Sequence, residues 1–282
     1  IRCVGILKAF DRAYEDFRYK IVKNDEISIC VIGTGRAGMI HAKAIARIDG
    51  ARLAGLVDSD EERCRKACHE LGISTSYLTY QEAIADSRID AVIVATPTDF
   101  HADIVIAAAE AGKHILCEKP MAMKVLECEQ MILAAEKNRV KFQIGFMRRF
   151  DRGFQQANEV VARGDIGEVV LVKSLTRGPS TPKRWQYDVS RSNGPLAEVN
   201  SHDIDTLRWF TNSEFARIYA VAGNYRCPDA RAEFSEFYDN VSLVASFANG
   251  MQGIIDGAVS VKYGYDARVE VLGTEGVLFV GQ

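Results

Sequence analysis

The chain has 282 residues, 48% of them apolar, and carries 35 Lys and Arg against 38 Asp and Glu for a formal net charge of −3. That balance supplies no global basic field for nucleic acid or an anionic membrane surface, and no run of 18 apolar residues is present to cross a bilayer as a helix. The length suits one large or two medium globular domains with a sizeable core.

The first 26 residues, "IRCVGILKAFDRAYEDFRYKIVKNDE", mix acids, bases and aromatics. They read as a short apolar piece and a charged helix, without the h-region and cleavage site of a signal peptide. They form an unassigned N-terminal extension.

From residue 27 the period alternates between strand and helix. "ISICVIG" is a β-branched run suited to a strand buried on both faces, and "AGMIHAKAIARI" has helical spacing. "ARLAGLVD" is a second strand and "DEERCRKACHELG" a charged helix closed by Gly72. A short strand in "STSY", a helix after Thr79, the strand "DAVIVATP" and the helix "DFHADIVIAAAEAG" follow. "HILCEKP", "KVLECEQMILAAEKN" and "VKFQIGF" complete the series as strand, helix and strand. Such alternation predicts right-handed crossovers and a doubly wound parallel sheet over residues 27–146.

Residues 147–282 read differently. A helix ("FQQANEVVARGDIG") and a strand ("EVVLVKSLTRG") lead into a long polar loop, 177–195. "LAEVNSHDIDTLRWFT" reads as one helix, 196–211. Five strand-like stretches then follow without helices, two of them joined by the hairpin signal "FANGMQG". The expectation is an α/β domain with an open, mostly antiparallel sheet.

The seven cysteines are odd in number and form no CxxC pair; Cys64 and Cys68 lie one helical turn apart. They read as reduced thiols of a cytoplasmic protein.

"GTGRAG" gives Gly33, Gly35 and Gly38 in G-x-G-x-x-G spacing after a strand and before a helix, with Asp58 ending the next strand 20 residues beyond Gly38. Gly33 would allow the tight turn, Gly35 the approach of a pyrophosphate and Gly38 close helix packing. Free amides at the helix start would hold phosphate. Asp58 would accept from an adenosine ribose diol and repel a 2′-phosphate, favouring NAD over NADP, although Arg36 in the loop could pair with a phosphate. Thr96 and Pro97 stand at the carboxyl end of another strand, where ligands lie in such sheets, and His101 starts the next helix. The cofactor set is thus Gly33, Thr34, Gly35, Arg36, Ala37, Gly38, Asp58, Thr96, Pro97 and His101, with Glu118 and Lys119 after the fifth strand.

Lys119 is either a proton shuttle and hydroxyl anchor or a solvated turn lysine; spacing leaves both open. Glu198, His202 and Asp205 fall at i, i+4 and i+7, so one helix would present them on one face. That suits a general base held by carboxylates, or an ordinary helix with ion pairs. A metal would need a further ligand that no second His or Cys cluster offers. Arg148 and Arg149 could face substrate or form a hinge ion pair. Trp185 and Tyr187 could cover a sugar face. His41, His69 and His114 read as packed, solvated and structural.

Taken in order, "GTGRAG", "ATPTDFH", "CEKPMA", "GFMRRFD" and "SHDIDTLRW" resemble the glucose–fructose oxidoreductase / inositol dehydrogenase (Gfo/Idh/MocA) family over about residues 27–280. The resemblance implies an N-terminal Rossmann domain, a C-terminal α/β domain for substrate and oligomerisation, and a homodimer or homotetramer formed through its open sheet. It implies oxidation of a secondary alcohol of a sugar, polyol or cyclitol by NAD, with NADP less favoured. It gives Lys119 the reacting hydroxyl, His202 the role of general base with Glu198 beside it, and a cis Lys119–Pro120 peptide. Glu198 stands where inositol dehydrogenases usually carry Asp. The family usually continues with a further helical segment, so the sequence reads as a shortened or incomplete chain. The alternatives are an NAD-dependent glycoside hydrolase of the same family and a non-catalytic NAD-binding regulator.

Overall fold

A computed structural model describes residues 26–281. The apolar piece and helix expected before residue 26 lie outside the described residues, as does Cys3. The described residues up to Glu118, together with Glu129–Gln143, form one compact unit. Lys119–Cys128 and the residues from Ile144 onward form the second.

The first unit is built on six strands: β1 (Ile27–Ile32), β2 (Ala51–Val57), β3 (Ser76–Tyr77), β4 (Ala91–Val94), β5 (His114–Cys117) and β6 (Phe142–Ile144). Their spatial order is β3-β2-β1-β4-β5-β6. The pairs β1–β2, β1–β4, β2–β3 and β4–β5 run parallel. The order reverses between β1 and β4, the position at which doubly wound sheets take their ligands.

Helices α1 (Arg36–Ile45), α2 (Glu61–Leu71), α3 (Tyr80–Ala85), α4 (His101–Glu110) and α5 (Val125–Lys137) join the strands. Their limits follow local chemistry. Asp60 caps α2 by accepting from the Arg63 amide, and Gly72, at φ 67°, closes it. Thr79 and Glu82 make a capping box at α3. Val31 and Leu56 pack with Ala42, Ile45, Cys64, Ala67 and Cys68 in one buried cluster. Burial pushes the Cys30 thiol up to about 12 and the Cys64 thiol up to about 11, so both stay protonated and pack as small apolar groups.

In the second unit β7 (Val169–Arg177), β8 (Phe215–Gly223), β9 (Asn240–Phe247), β10 (Gln252–Ala258), β11 (Asp266–Gly273) and β12 (Val277–Val280) form a sheet in the order β12-β11-β7-β10-β9-β8. Only β7 and β10 pair in parallel; the other four pairs are antiparallel. The β9–β10 hairpin closes through Phe247 N–H to Met251 O, with Gly250 at φ 88°. Phe154 of α6 (Arg152–Arg163) joins Leu207, Phe210, Val172, Ile255 and Val271 in the core of this unit.

Two expectations for 177–211 need correction. The supposed long loop holds short helices α7 (Arg184–Tyr187) and α8 (Val189–Ser192), and α9 (Gly194–Glu198) begins within it. The single helix expected over 196–211 is two, α9 and α10 (Ser201–Thr211), parted at Val199–Asn200. The cause is tertiary. Asn200 is 1% exposed, its amide donates to Asp203 Oδ2 at 2.8 Å, and its Oδ1 lies 2.2 Å from where a Cβ on Gly257 would stand. Packing of this amide against β10 overrides the helical periodicity.

Gly38 in α1 tests the packing of the first unit. A Cβ there would lie 1.8 Å from Gly33 O. Gly38→Ala is expected to lose about 1–3 kcal/mol in urea denaturation, the usual range for overpacking; unchanged stability would refute the close contact.

Candidate active site

At the end of β1 the chain turns through Gly33, whose φ of +97° and a virtual Cβ contact of 2.6 Å with Ala95 O both require glycine. Gly35 is different: nothing lies within 4 Å of its Cβ position. It is the N-cap of α1, which has no side-chain cap and no acid in its first turn. The loop Gly33-Thr34-Gly35-Arg36-Ala37-Gly38 therefore presents an uncapped helix start beside an open position, a cradle suited to phosphate. At the end of β4 the buried Thr96 hydroxyl has no hydrogen-bond partner among the described residues. Pro97 starts a 3-10 turn over Thr98–Phe100. His101 is 1% exposed and its Nε2 lies 3.0 Å from Thr96 O, so its ring holds this turn from behind. These features fit a dinucleotide.

Asp58 is buried after β2 and fully engaged. It accepts from the Thr34 amide (2.9 Å) and hydroxyl (2.6 Å), from the Asp60 amide (3.0 Å), and from Arg63 Nε (2.9 Å) and Nη2 (2.6 Å). Burial pushes its carboxyl up, but the bonds from Arg63, Thr34 and Asp60 together outweigh burial and hold it well below the usual carboxylate range. The sequence reading of Asp58 as a ribose acceptor passed over Arg63, whose place one helical turn into α2 gives no signal without the fold. Glu118 follows β5, with its amide on Val94 O, and its carboxylate lies 2.7 Å from His41 Nε2 on α1. His114 is structural, accepting from the Lys141 amide through Nδ1.

The second unit joins Lys119 to Glu198 through the backbone, and His202 follows on the next helix. The Lys119–Pro120 peptide is cis. Lys119 Nζ donates to the carbonyl oxygen of Glu198, the last residue of α9, at 2.5 Å. His202, in the first turn of α10, sets its ring edge-on to Phe146, with centroids 6.2 Å apart. Glu198 and His202 occupy successive helices, so Glu198 leaves the expected shared face, while His202 and Asp205 stay one turn apart on α10. The Asp205 carboxylate is instead bound bidentately by Arg149, both contacts at 2.9 Å. Arg149 also stacks over Trp209.

Beneath this lies a polar core that the sequence did not announce. Arg148 and Asp203 have side chains 3% and 0% exposed and meet at 2.8 Å. Arg148 also donates to Ser174, Thr176 and Thr206. Asp203 accepts in addition from Ser174, Thr176 and Asn200. The pair ties the 3-10 turn Met147–Phe150 and α10 to β7, and Asn200 extends it to the bend before His202. Tyr187, offered as a sugar-facing aromatic, packs in a buried cluster with Phe234 and Phe237, its ring 4.8 Å from that of Phe237. Among the described residues no group of three or more His, Cys, Asp or Glu is placed to hold a metal ion.

Comparison with known proteins agrees with this architecture. Residues 27–146 match the model of an oxidoreductase family with an NAD-binding Rossmann fold, and residues 154–279 match the GFO/IDH/MocA C-terminal domain. The chain belongs to the Gfo/Idh/MocA oxidoreductase family. It is 35% identical to a myo-inositol 2-dehydrogenase of Thermotoga maritima over 89% of this chain and 74% of that protein. It is 34% identical to a scyllo-inositol 2-dehydrogenase (NAD(+)) of Bacillus subtilis over 91% of this chain and 74% of the other. The structure of scyllo-inositol dehydrogenase from Lactobacillus casei with bound NAD(H) and scyllo-inositol superposes with a TM-score of 0.82 at 27% identity, covering 92% of this chain and 77% of that one. By family this chain is an NAD-binding oxidoreductase.

Arg148→Met keeps the bulk of the side chain and leaves Asp203 buried without its charge partner. Loss of one member of such a pair costs about 3–5 kcal/mol. Urea denaturation is expected to show that drop, and a loss below about 1 kcal/mol would show that the pair does not hold the unit together.

Proposed function

We propose that this chain is an NAD-dependent dehydrogenase that oxidises a secondary alcohol of a cyclitol, or of a related polyol or sugar. The observation that carries the reading is the Lys119 ammonium fixed on the Glu198 carbonyl, four residues ahead of His202, in a chain of an NAD-binding oxidoreductase family. The Glu198 carbonyl fixes the direction of this ammonium, and a directed ammonium suits a substrate oxygen. The relatives named as inositol dehydrogenases support a cyclitol as substrate class.

Bound NAD supplies the hydride acceptor. Gly33, Thr34, Gly35, Arg36, Ala37 and Gly38 hold its phosphates, Asp58 its adenosine ribose, and Thr96, Pro97, His101 and Glu118 frame the remainder. Lys119 binds the reacting hydroxyl and stabilises the alkoxide as it develops. His202 takes the hydroxyl proton, and Glu198 holds a neighbouring hydroxyl. The residues 27–146 serve the cofactor and the residues 147–282 the substrate.

The described cysteines are free thiols, which fits a cytoplasmic protein, and no helix among the described residues is long and apolar enough to cross a membrane. The face of the second sheet that bears Val244, Leu272, Val277 and Phe279 is exposed. Lys173, Arg177, Asp256, Arg268 and Glu270 alternate in sign across it. An apolar surface with interspersed opposite charges suits pairing with a second copy, so the chain is a homodimer or homotetramer through this sheet.

Inositols, sugars and sugar acids offered with NAD are expected to yield reduced cofactor with at least one cyclitol; binding of NAD without turnover on any of them would sink the dehydrogenase reading. Release of a sugar from a glycoside with no net NADH would favour the hydrolase. Lys119→Ala is expected to lower kcat by about 10²–10⁴-fold, with NAD affinity changed less than about threefold, and unaltered turnover would remove Lys119 from the mechanism.

Sedimentation velocity is expected to give a dimer or tetramer that Phe279→Arg dissociates. A wild-type monomer at micromolar concentration would exclude assembly through the sheet.

A further inference from the structure

His41 sits in the second turn of α1, at the border of the face that this helix buries with Gly38, Ala42 and Ile45. The helix itself is fixed against the turn after β1, because Gly38 leaves only 1.8 Å between a Cβ position and Gly33 O. From this fixed helix the ring reaches Glu118, and its Nε2 meets Oε1 at 2.7 Å across 77 residues of chain. The two side chains are 25% and 19% exposed. A carboxylate only accepts, so Nε2 carries the hydrogen and donates it, whether the ring is neutral or protonated.

Glu118 is held at three points. Its amide donates to Val94 O at 2.9 Å, which carries the β4–β5 ladder one residue past β5. Its carbonyl accepts from Cys117 Sγ at 3.3 Å. Its carboxylate accepts from His41. The first two bonds act on the backbone and the third on the side chain. Glu118 is also where the chain leaves the first unit, and Lys119 is the next residue.

We propose that His41 is a positioning residue for Lys119: by holding the Glu118 carboxylate it fixes the end of β5, and with it the backbone from which the lysine departs. A residue at a strand end has lost the ladder on one side, so its orientation depends on whatever else grips it. With Glu118 gripped by α1, the lysine starts from one orientation, and little alignment remains to be found when a hydroxyl is bound. The glycine loop and His41 share α1, so the phosphate cradle and Glu118 are referred to the same helix.

The inference rests on the reading of Lys119 as the residue that binds the reacting hydroxyl, and the test separates the two. Wild type, His41→Leu and His41→Gln are compared as full chains. Leucine and glutamine both suit a helix; glutamine keeps an N–H donor and leucine does not. Hydrogen exchange without cofactor or substrate is expected to be faster over residues 114–119 in His41→Leu, and near wild type in His41→Gln. On the best substrate among the inositols, sugars and sugar acids offered with NAD, His41→Leu is expected to lower kcat by about tenfold to a hundredfold. The Kd for NAD is expected to stay within about threefold, and His41→Gln to recover most of kcat. In a Glu118→Ala background, His41→Leu is expected to cost no more than about twofold further, because the two act as one unit. Equal losses in the leucine and glutamine variants, with a matching drop in Tm, would make His41 a packing residue and overturn the proposal. Wild-type kcat in His41→Leu, with Lys119→Ala impaired, overturns the role of His41 and spares that of Lys119. A wild type that turns over none of these substrates overturns both.

Discussion

Much of the second unit depends on one buried ion pair, Arg148 with Asp203. Both charges are out of water, so each must be satisfied from within the protein or the fold loses several kcal/mol. Ser174, Thr176, Thr206 and Asn200 complete the requirement. The consequence is geometric. Three separate segments, the turn after β6, strand β7 and helix α10, must meet in one arrangement for the donors and acceptors to match. Asn200, drawn into the same network and packed on Gly257, sets where α9 stops and α10 starts. The Glu198 carbonyl that receives Lys119 and the ring of His202 are positioned on either side of that break.

The first unit solves a different problem by different means. Its parallel strands are apolar on both faces, and its polar chemistry is confined to strand ends. There the backbone does most of the work: a glycine turn, an uncapped helix and the amides around Asp58. Side chains enter as supports, with His101 behind the Thr96 turn and His41 against Glu118. Arg63 is the exception, an exposed side chain that reaches inward to a buried carboxylate.

The parts of the fold legible in sequence were those governed by local rules. Strand and helix periods predicted the parallel sheet, and the turn chemistry of Gly72 and Thr79 marked helix limits that the structure retains. The absence of helices after residue 211 predicted a mostly antiparallel sheet, and the β9–β10 hairpin falls where "FANGMQG" signalled it. The motifs around Gly33, Lys119 and His202 identified the family. The misread positions are instructive. Glu198, His202 and Asp205 had helical spacing, but the packing of Asn200 broke the helix and put Glu198 on a separate one; His202 and Asp205 keep one face of α10, where Arg149 binds Asp205. Tyr187 stood in a polar stretch, yet its ring found Phe237, far away in sequence.

The sequence by itself determined the class of chemistry and the doubly wound sheet, since glycine spacing, periodicity and capping act over a few residues and are written in order along the chain. Only the tertiary structure decided which charges are buried and whom they meet. Arg148 with Asp203, Asp58 with Arg63, and Lys119 with the Glu198 carbonyl are each set by desolvation and donor–acceptor matching after the strands and helices have assembled. No local period encodes that matching.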